Sequence, residues 1–145
     1  MKTKKLILKN TFSTGNHGWG NGYVAVPPEH PLYGKSYMDE DYPDFNVHGG
    51  ITFTEPVIYN EITFVSKTKV KEKYIGKRAY QLQYGISLDG EIPDNWWLIG
   101  FDTCHSNDTN LNWPKERVIN ETNYLQKRIN NLFNNNILQK RFMEN

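Results

Sequence analysis

The sequence predicts an α+β fold: one domain over residues 1–145, with an antiparallel or mixed β-sheet and a C-terminal helix packed on one face. Three observations predict it. Tyr80, Leu82, Tyr84 and Ile86 alternate with Gln81, Gln83 and Gly85, the period of two of a half-buried strand. Trp96–Phe101 (WWLIGF) is a short, unbroken apolar run, as a central strand requires. Beyond Pro114 the period changes, and Leu125, Ile129, Leu132 and Phe133 fall at i, i+4, i+7 and i+8 on one helical face. Strands first and a helix last define the layers.

Lys4–Lys9 reads as the first strand, with Leu6, Ile7 and Leu8 in a basic frame. Asn16–Asn21 (NHGWGN) is a Gly- and Asn-rich loop. Tyr23–Val26 is a strand that Pro27-Pro28 ends, because proline cannot donate to a ladder. Residues 27–44 hold four prolines, several tyrosines and an acidic run, which reads as a long aromatic loop packed on the domain. Gly49-Gly50 turns the chain into a strand at Ile51–Thr54, and another is expected at Glu61–Val65. In Ser66–Arg78, Lys67, Lys69, Lys71 and Lys73 recur at every second position, which suits an edge strand protected against pairing better than a phosphate site. Asp89-Gly90 and Pro93-Asp94 mark turns, and residues 102–114 form a polar loop. The helix is expected over about 117–134, with Asn120 as N-cap and Asn134–Asn136 as its end.

Seventeen basic residues against sixteen acidic ones leave a net charge of +1, which argues against nucleic acid as the main partner. Cys104 is the one cysteine, so an intramolecular disulfide is excluded and a reducing compartment fits. The apolar run Leu6–Leu8 is far shorter than the roughly 7–15 residues of an export signal. Nothing approaches the roughly 18 apolar residues of a membrane span, so no membrane association and a cytoplasmic location are expected.

Three segments set hydrogen-bonding side chains beside glycines or aromatics: His30-Pro31-Leu32-Tyr33-Gly34, His48-Gly49-Gly50, and Asp102-x-x-His105-x-x-Asp108. The third follows the WWLIGF strand, whose rigid end can hold groups that still reach solvent. Together GYVAVPPEHPLYG, VHGGITF, WWLIGFDTCHSND and the helical NYLQKRINNL resemble a family of small phage and prophage proteins that share an HPxYG, HGG, WWxGFDxxHxxD order. The resemblance covers most of the chain in outline. It departs at Asn107, where the family often has glycine, and asparagine also accepts left-handed backbone. It brings no assigned activity, but it implies a viral setting, where small cytoplasmic proteins often counter host defences, some by capturing or destroying nucleotide immune signals.

Each candidate has a plain structural alternative. Asp102, His105 and Asp108 could cap turns in an Asn- and Ser-rich loop, or orient a general base, or form half a metal site. No tight ligand signature such as HExxH is present, so no metal and no other cofactor is expected, with a divalent metal the minor alternative. His30 could be held in a proline turn and His48 could be a satisfied, partly buried histidine. Of Trp96 and Trp97, at least one must be core, because adjacent strand residues face opposite ways. Cys104 lacks a helix-start context that would activate its thiol. The P-loop, the G-x-S-x-G elbow, the paired His-x-Ser/Thr of two-histidine phosphoesterases and the zinc ribbon are all missing.

Three functions follow in order of preference. The first is a counter-defence protein that sequesters a small nucleotide-like ligand, held by His30, Tyr33, Gly34, His48, Gly49, Gly50, Trp97, Asp102, His105 and Asp108, with Tyr37 a further stacking candidate and a homo-oligomer able to close over it. The second is a hydrolase of such a ligand, with His48 or His105 as general base and Asp102 orienting it. The third is a protein-interaction inhibitor that blocks a host defence enzyme through the acidic, aromatic loop Tyr37–Phe45.

Overall fold

The structure, a computed structural model, describes residues 3–10, 16–56, 86–90, 92–93 and 96–144, with side chains through residue 132. Its elements are β1 (Lys4–Lys9), β2 (Gly20–Val26), β3 (Phe53–Pro56), β4 (Ile86–Ser87), β5 (Trp97–Phe101) and helix α1 (Lys115–Glu144). The strands form one antiparallel sheet in the order β3-β5-β2-β1-β4, and the fold is α+β as expected. The expected strand at Glu61–Val65, the lysine row and most of the alternating segment lie outside the described residues.

β2 occupies the middle of the sheet, a place the sequence suggested for WWLIGF. It pairs with β1 from Gly20 to Ala25 and with β5 from Gly22 to Val26, so Gly20 and Asn21 are strand while residues 16–19 are loop as expected. β5 is also interior, between β2 and β3. Pro56 is tolerated because β3 is an edge.

Alternation along the strands builds two cores. Val24, Val26, Ile99 and Phe101 face α1, where they pack with Leu125, Ile129, Leu32, Phe45 and Val47. Leu6, Leu8, Tyr23, Ala25 and Leu98 face the other way, with Ile92. Trp96 packs against this second set and Trp97 against the first, the opposite facing that adjacent strand residues must have. Burial of Val118, Thr122, Leu125 and Ile129 marks the helical stripe that lies on β1 and β2. Fully burying Leu125 or Ile129 stabilises the fold by about 1.5–3 kcal/mol each.

The helix starts two residues before the expected 117 and runs ten past the expected 134. Pro114 explains the start: its carbonyl accepts the Val118 N–H at 3.1 Å, and a proline is compatible with a first turn. Asn120 is therefore inside the helix and caps nothing. Three asparagines do not end it, because each costs only a few tenths of a kcal/mol relative to stronger helix formers, which follow from Leu138 onward.

Candidate functional site

Two chain reversals meet at one end of the sheet. The first is the loop after β5. Thr103 stitches it down by donating its hydroxyl to Gly20 O at 2.6 Å and accepting the Gly18 N–H at 2.7 Å. Trp113 O accepts the Trp19 N–H at 2.8 Å and closes the loop before α1. Within it, His105–Asp108 is a turn in which Asp108 N–H donates to His105 O at 2.9 Å and His105 N–H donates to Asp108 Oδ2 at 3.0 Å. The second reversal is Val47–Gly50, where Gly50 N–H donates to Val47 O at 2.9 Å and Gly49 has φ 71°, the pattern of a type II turn. Glu121 on α1 holds this turn by accepting the His48 N–H at 2.8 Å.

The two turns bring His48, His105 and Asp108 together. His48 Nε2 lies 2.8 and 2.9 Å from the two oxygens of Asp108, which is only 3% exposed. Burial by itself would raise the Asp108 pKa. The hydrogen bonds from His48 and from the His105 N–H, with the charges of both imidazoles, outweigh it and bring the pKa below the usual carboxylate value. Asp108 is thus an ionised acceptor, and His48 Nε2 must carry the hydrogen between them. Among the described residues nothing hydrogen-bonds to His48 Nδ1, which leaves that nitrogen for other chemistry.

The His105 ring stands edge-on to His48 with centroids 5.1 Å apart. Its Nε2 is buried and has no hydrogen-bond partner among the described residues. Asp102 Oδ1 is 3.4 Å away but poorly aligned with it, and instead accepts the Cys104 N–H at 3.0 Å. Asp108, rather than Asp102, is the carboxylate that orients His48. Gly49 makes the packing possible, since a Cβ there would lie 1.9 Å from His105 Nε2. Behind His48 lies Trp113, with ring centroids 4.2 Å apart and a tilt of 34°. The Arg117 guanidinium covers Trp113 as well, 4.0 Å from its centroid.

His48, Gly49, Asp102, His105 and Asp108 therefore converge, with Gly50 at the open edge of the turn. The HPLYG segment does not join them. His30 is buried, with Nδ1 accepting the Leu32 N–H at 3.1 Å and Nε2 facing Ile129 O at 3.2 Å. Ile129 is eight residues along α1 from Glu121, about 12 Å of helix. Tyr33 sits against Trp97 with centroids 6.2 Å apart, and Trp97 donates its indole N–H to Lys35 O at 3.0 Å. Trp97 opens β5 and Asp102 follows its far end, about 13 Å away along the strand. Gly34 serves a turn, with φ 76° and the Lys35 N–H bonded to Leu32 O.

Trp113 and Glu121 escaped the sequence reading. An apolar residue just before a proline-led helix start was the available signal for Trp113. Glu121 borders the Val118–Thr122–Leu125 stripe, but nothing in the sequence says which loop it meets. Cys104 has its thiol pKa raised, by burial first and then by the charges of Asp102 and Asp108, so it is a poor nucleophile. A cleft of about 330 Å³ lined by Pro43, Asp44, Phe45, Arg128, Asn131 and Leu132 lies by α1 and includes none of the predicted site residues.

The site can move protons through His48, and the donor atoms of His48, His105 and Asp108, all within 4.8 Å of one another, could hold a metal ion. The chain matches no family model, no curated protein and no solved structure. Among the described residues no helix is long and apolar enough to cross a membrane.

Proposed function

We propose that this chain hydrolyses a small, phosphate-containing, nucleotide-like ligand at the His48–His105–Asp108 centre. In the setting implied by the family resemblance it is a phage-type counter-defence protein that removes a nucleotide immune signal in the host cytoplasm. The observation that carries the reading is the His48–Asp108 pair, at 2.8 Å, with His48 Nδ1 left unengaged among the described residues. A carboxylate on one ring nitrogen fixes the tautomer and leaves the other as a general base. His48 Nδ1 takes a proton from water, the water oxygen bonds to phosphorus, the ester P–O bond breaks, and His105 protonates the departing oxygen.

Hydrolysis is preferred over plain capture because the aromatic HPLYG segment stands apart from the histidines. The test is incubation of the chain with a panel of nucleotides and cyclic nucleotides, followed by chromatography and a thermal melt. One consumed ligand, with turnover abolished in His48→Ala, is expected. A ligand that stabilises the fold by about 2.7 kcal/mol at 100 times its Kd and returns intact would replace hydrolysis by sequestration. Full turnover in His48→Ala would remove the dyad. Indifference to the whole panel favours the protein-interaction reading, for which the exposure of Met38 (78%) on the acidic, aromatic loop is the supporting observation.

A further inference from the structure

We infer that His48, His105 and Asp108 form the protein ligands of a site for one divalent transition-metal ion of the zinc class. The inference rests on the hydrolase reading only for the ion's role, which is to activate the attacking water. The ligand set itself rests on geometry.

The donor atoms of the three residues lie within 4.8 Å of one another, and the His48–Asp108 pair is already at 2.8 Å. Zinc bonds of about 2.0–2.2 Å place neighbouring ligands on a tetrahedral ion roughly 3.3–3.5 Å apart, so modest side-chain rotations that open the His48–Asp108 pair and draw in the wider separations complete the set. His105 Nε2 is the second observation. A buried ring nitrogen without a hydrogen-bond partner among the described residues is an uncompensated group, and a cation is a partner that would satisfy it. The surroundings agree: Asp108 Oδ1 lies 2.8 Å from His48 Nε2 and Asp102 Oδ1 lies 3.4 Å from His105 Nε2, and two carboxylates facing two imidazoles favour a cation.

Surrounding contacts support the orientation such ligands need. His105 N–H bonds Asp108 Oδ2, Glu121 holds the His48 backbone, Trp113 backs the His48 ring, and Gly49 lies against His105. Two imidazoles and one carboxylate select a transition metal over Mg²⁺ or Ca²⁺, which prefer all-oxygen sites. Three protein ligands leave a fourth position for water, the arrangement of catalytic zinc sites. The ion takes the place of the hydrogen on His48 Nε2 and leaves the ring hydrogen on Nδ1, so in the metal-bound form the ion, and not His48 Nδ1, activates the water; the metal-bound and the directly paired forms are alternatives. A bound cation also removes the repulsion between Asp108 and a phosphate ligand.

Equilibrium dialysis of the full chain against Zn²⁺, with Mg²⁺ as comparison, reads the stoichiometry and affinity directly. One Zn²⁺ per chain is expected, with no comparable Mg²⁺ binding. Asp108→Asn and His105→Gln should each weaken binding by more than the roughly 10–100-fold that loss of an outer-shell partner costs. Cys104→Ser should leave it unchanged, because the thiol is outside the ligand set. Should a ligand variant fail to fold, Co²⁺ absorption of the unmodified chain decides instead: a four-coordinate spectrum without thiolate charge transfer supports the site, and an octahedral or thiolate spectrum overturns it. Absent Zn²⁺ binding, or binding abolished by Cys104→Ser, also overturns it. Zn²⁺ binding without turnover of any nucleotide leaves the metal site standing and removes the hydrolase. Turnover by a chelator-treated chain that binds no Zn²⁺ does the reverse.

Discussion

His48 and Asp108 are held together by a charge-assisted hydrogen bond whose acceptor is almost wholly buried. Asp108→Asn keeps the shape but loses the ionic acceptor, and bonds to charged groups contribute about 1.5–3 kcal/mol. Urea unfolding should therefore show a loss of about that size, and a loss below about 0.5 kcal/mol would mean the pair adds no stability. The two glycines of the His48 turn separate strain from crowding. At Gly50 (φ 79°) a Cβ meets nothing within 4 Å, so Gly50→Ala should cost only about 1–2 kcal/mol of left-handed strain. Gly49→Ala adds the collision with His105, and should destabilise further while displacing the His105 ring signals in an NMR spectrum. Equal effects of the two substitutions would contradict the packing of Gly49 on His105. That packing was not legible in the sequence: HGG announced a turn, but not which imidazole the turn would touch.

At the scale of elements, the closeness of helix to sheet depends on Gly22. A Cβ there would lie 2.0 Å from Thr122 Oγ1 and 2.6 Å from the Phe101 ring, so Gly22→Ala must push α1 away from β2. Overpacking of this kind costs about 1–3 kcal/mol, measurable as a lower denaturation midpoint with an unchanged slope. Because Glu121 on the same helix holds the His48 turn, the substitution should also slow any turnover at the site, and normal turnover would show that turn and helix are uncoupled. The strands at Lys4–Lys9 and WWLIGF were readable from their apolar pattern. β2 was only half readable, because its glycine-rich lead-in owes its strand form to pairing with β1 and β5 rather than to its own propensity. The extra helical length past Asn134 has the same lesson, since weak local breakers yield to a stronger continuation.

For the whole molecule, buried and half-buried titratable groups set the response to acid in two steps. His30 is buried neutral, and burial, only partly offset by the bond to Ile129 O, lowers its pKa from the ordinary 6.5. The unfolded chain then binds this proton more readily, so stability is full above 6.5 and falls as pH drops toward the lowered folded value. Asp108 and Asp89 act lower down. Burial opposes their ionisation, but His48 and His105 at Asp108, and Lys5 and Gln126 at Asp89, bring both pKa values below the ordinary 3.8. Their contribution is present above 3.8 and disappears as pH falls through the folded values. Melting temperature against pH should show both limbs, and His30→Gln should flatten the upper one alone. Persistence of the upper limb in that variant would mean another group titrates there. By itself the sequence determined the α+β class, the helix-facing stripe, the opposite facing of Trp96 and Trp97, and the short list of polar motifs, because periodicity and turn chemistry are local properties. Only the tertiary structure decided which motifs share a site. It joined HGG to the His105–Asp108 turn through Glu121 and Trp113 and left HPLYG at the far end of β5, because distance in space depends on strand order and register, which no local pattern encodes.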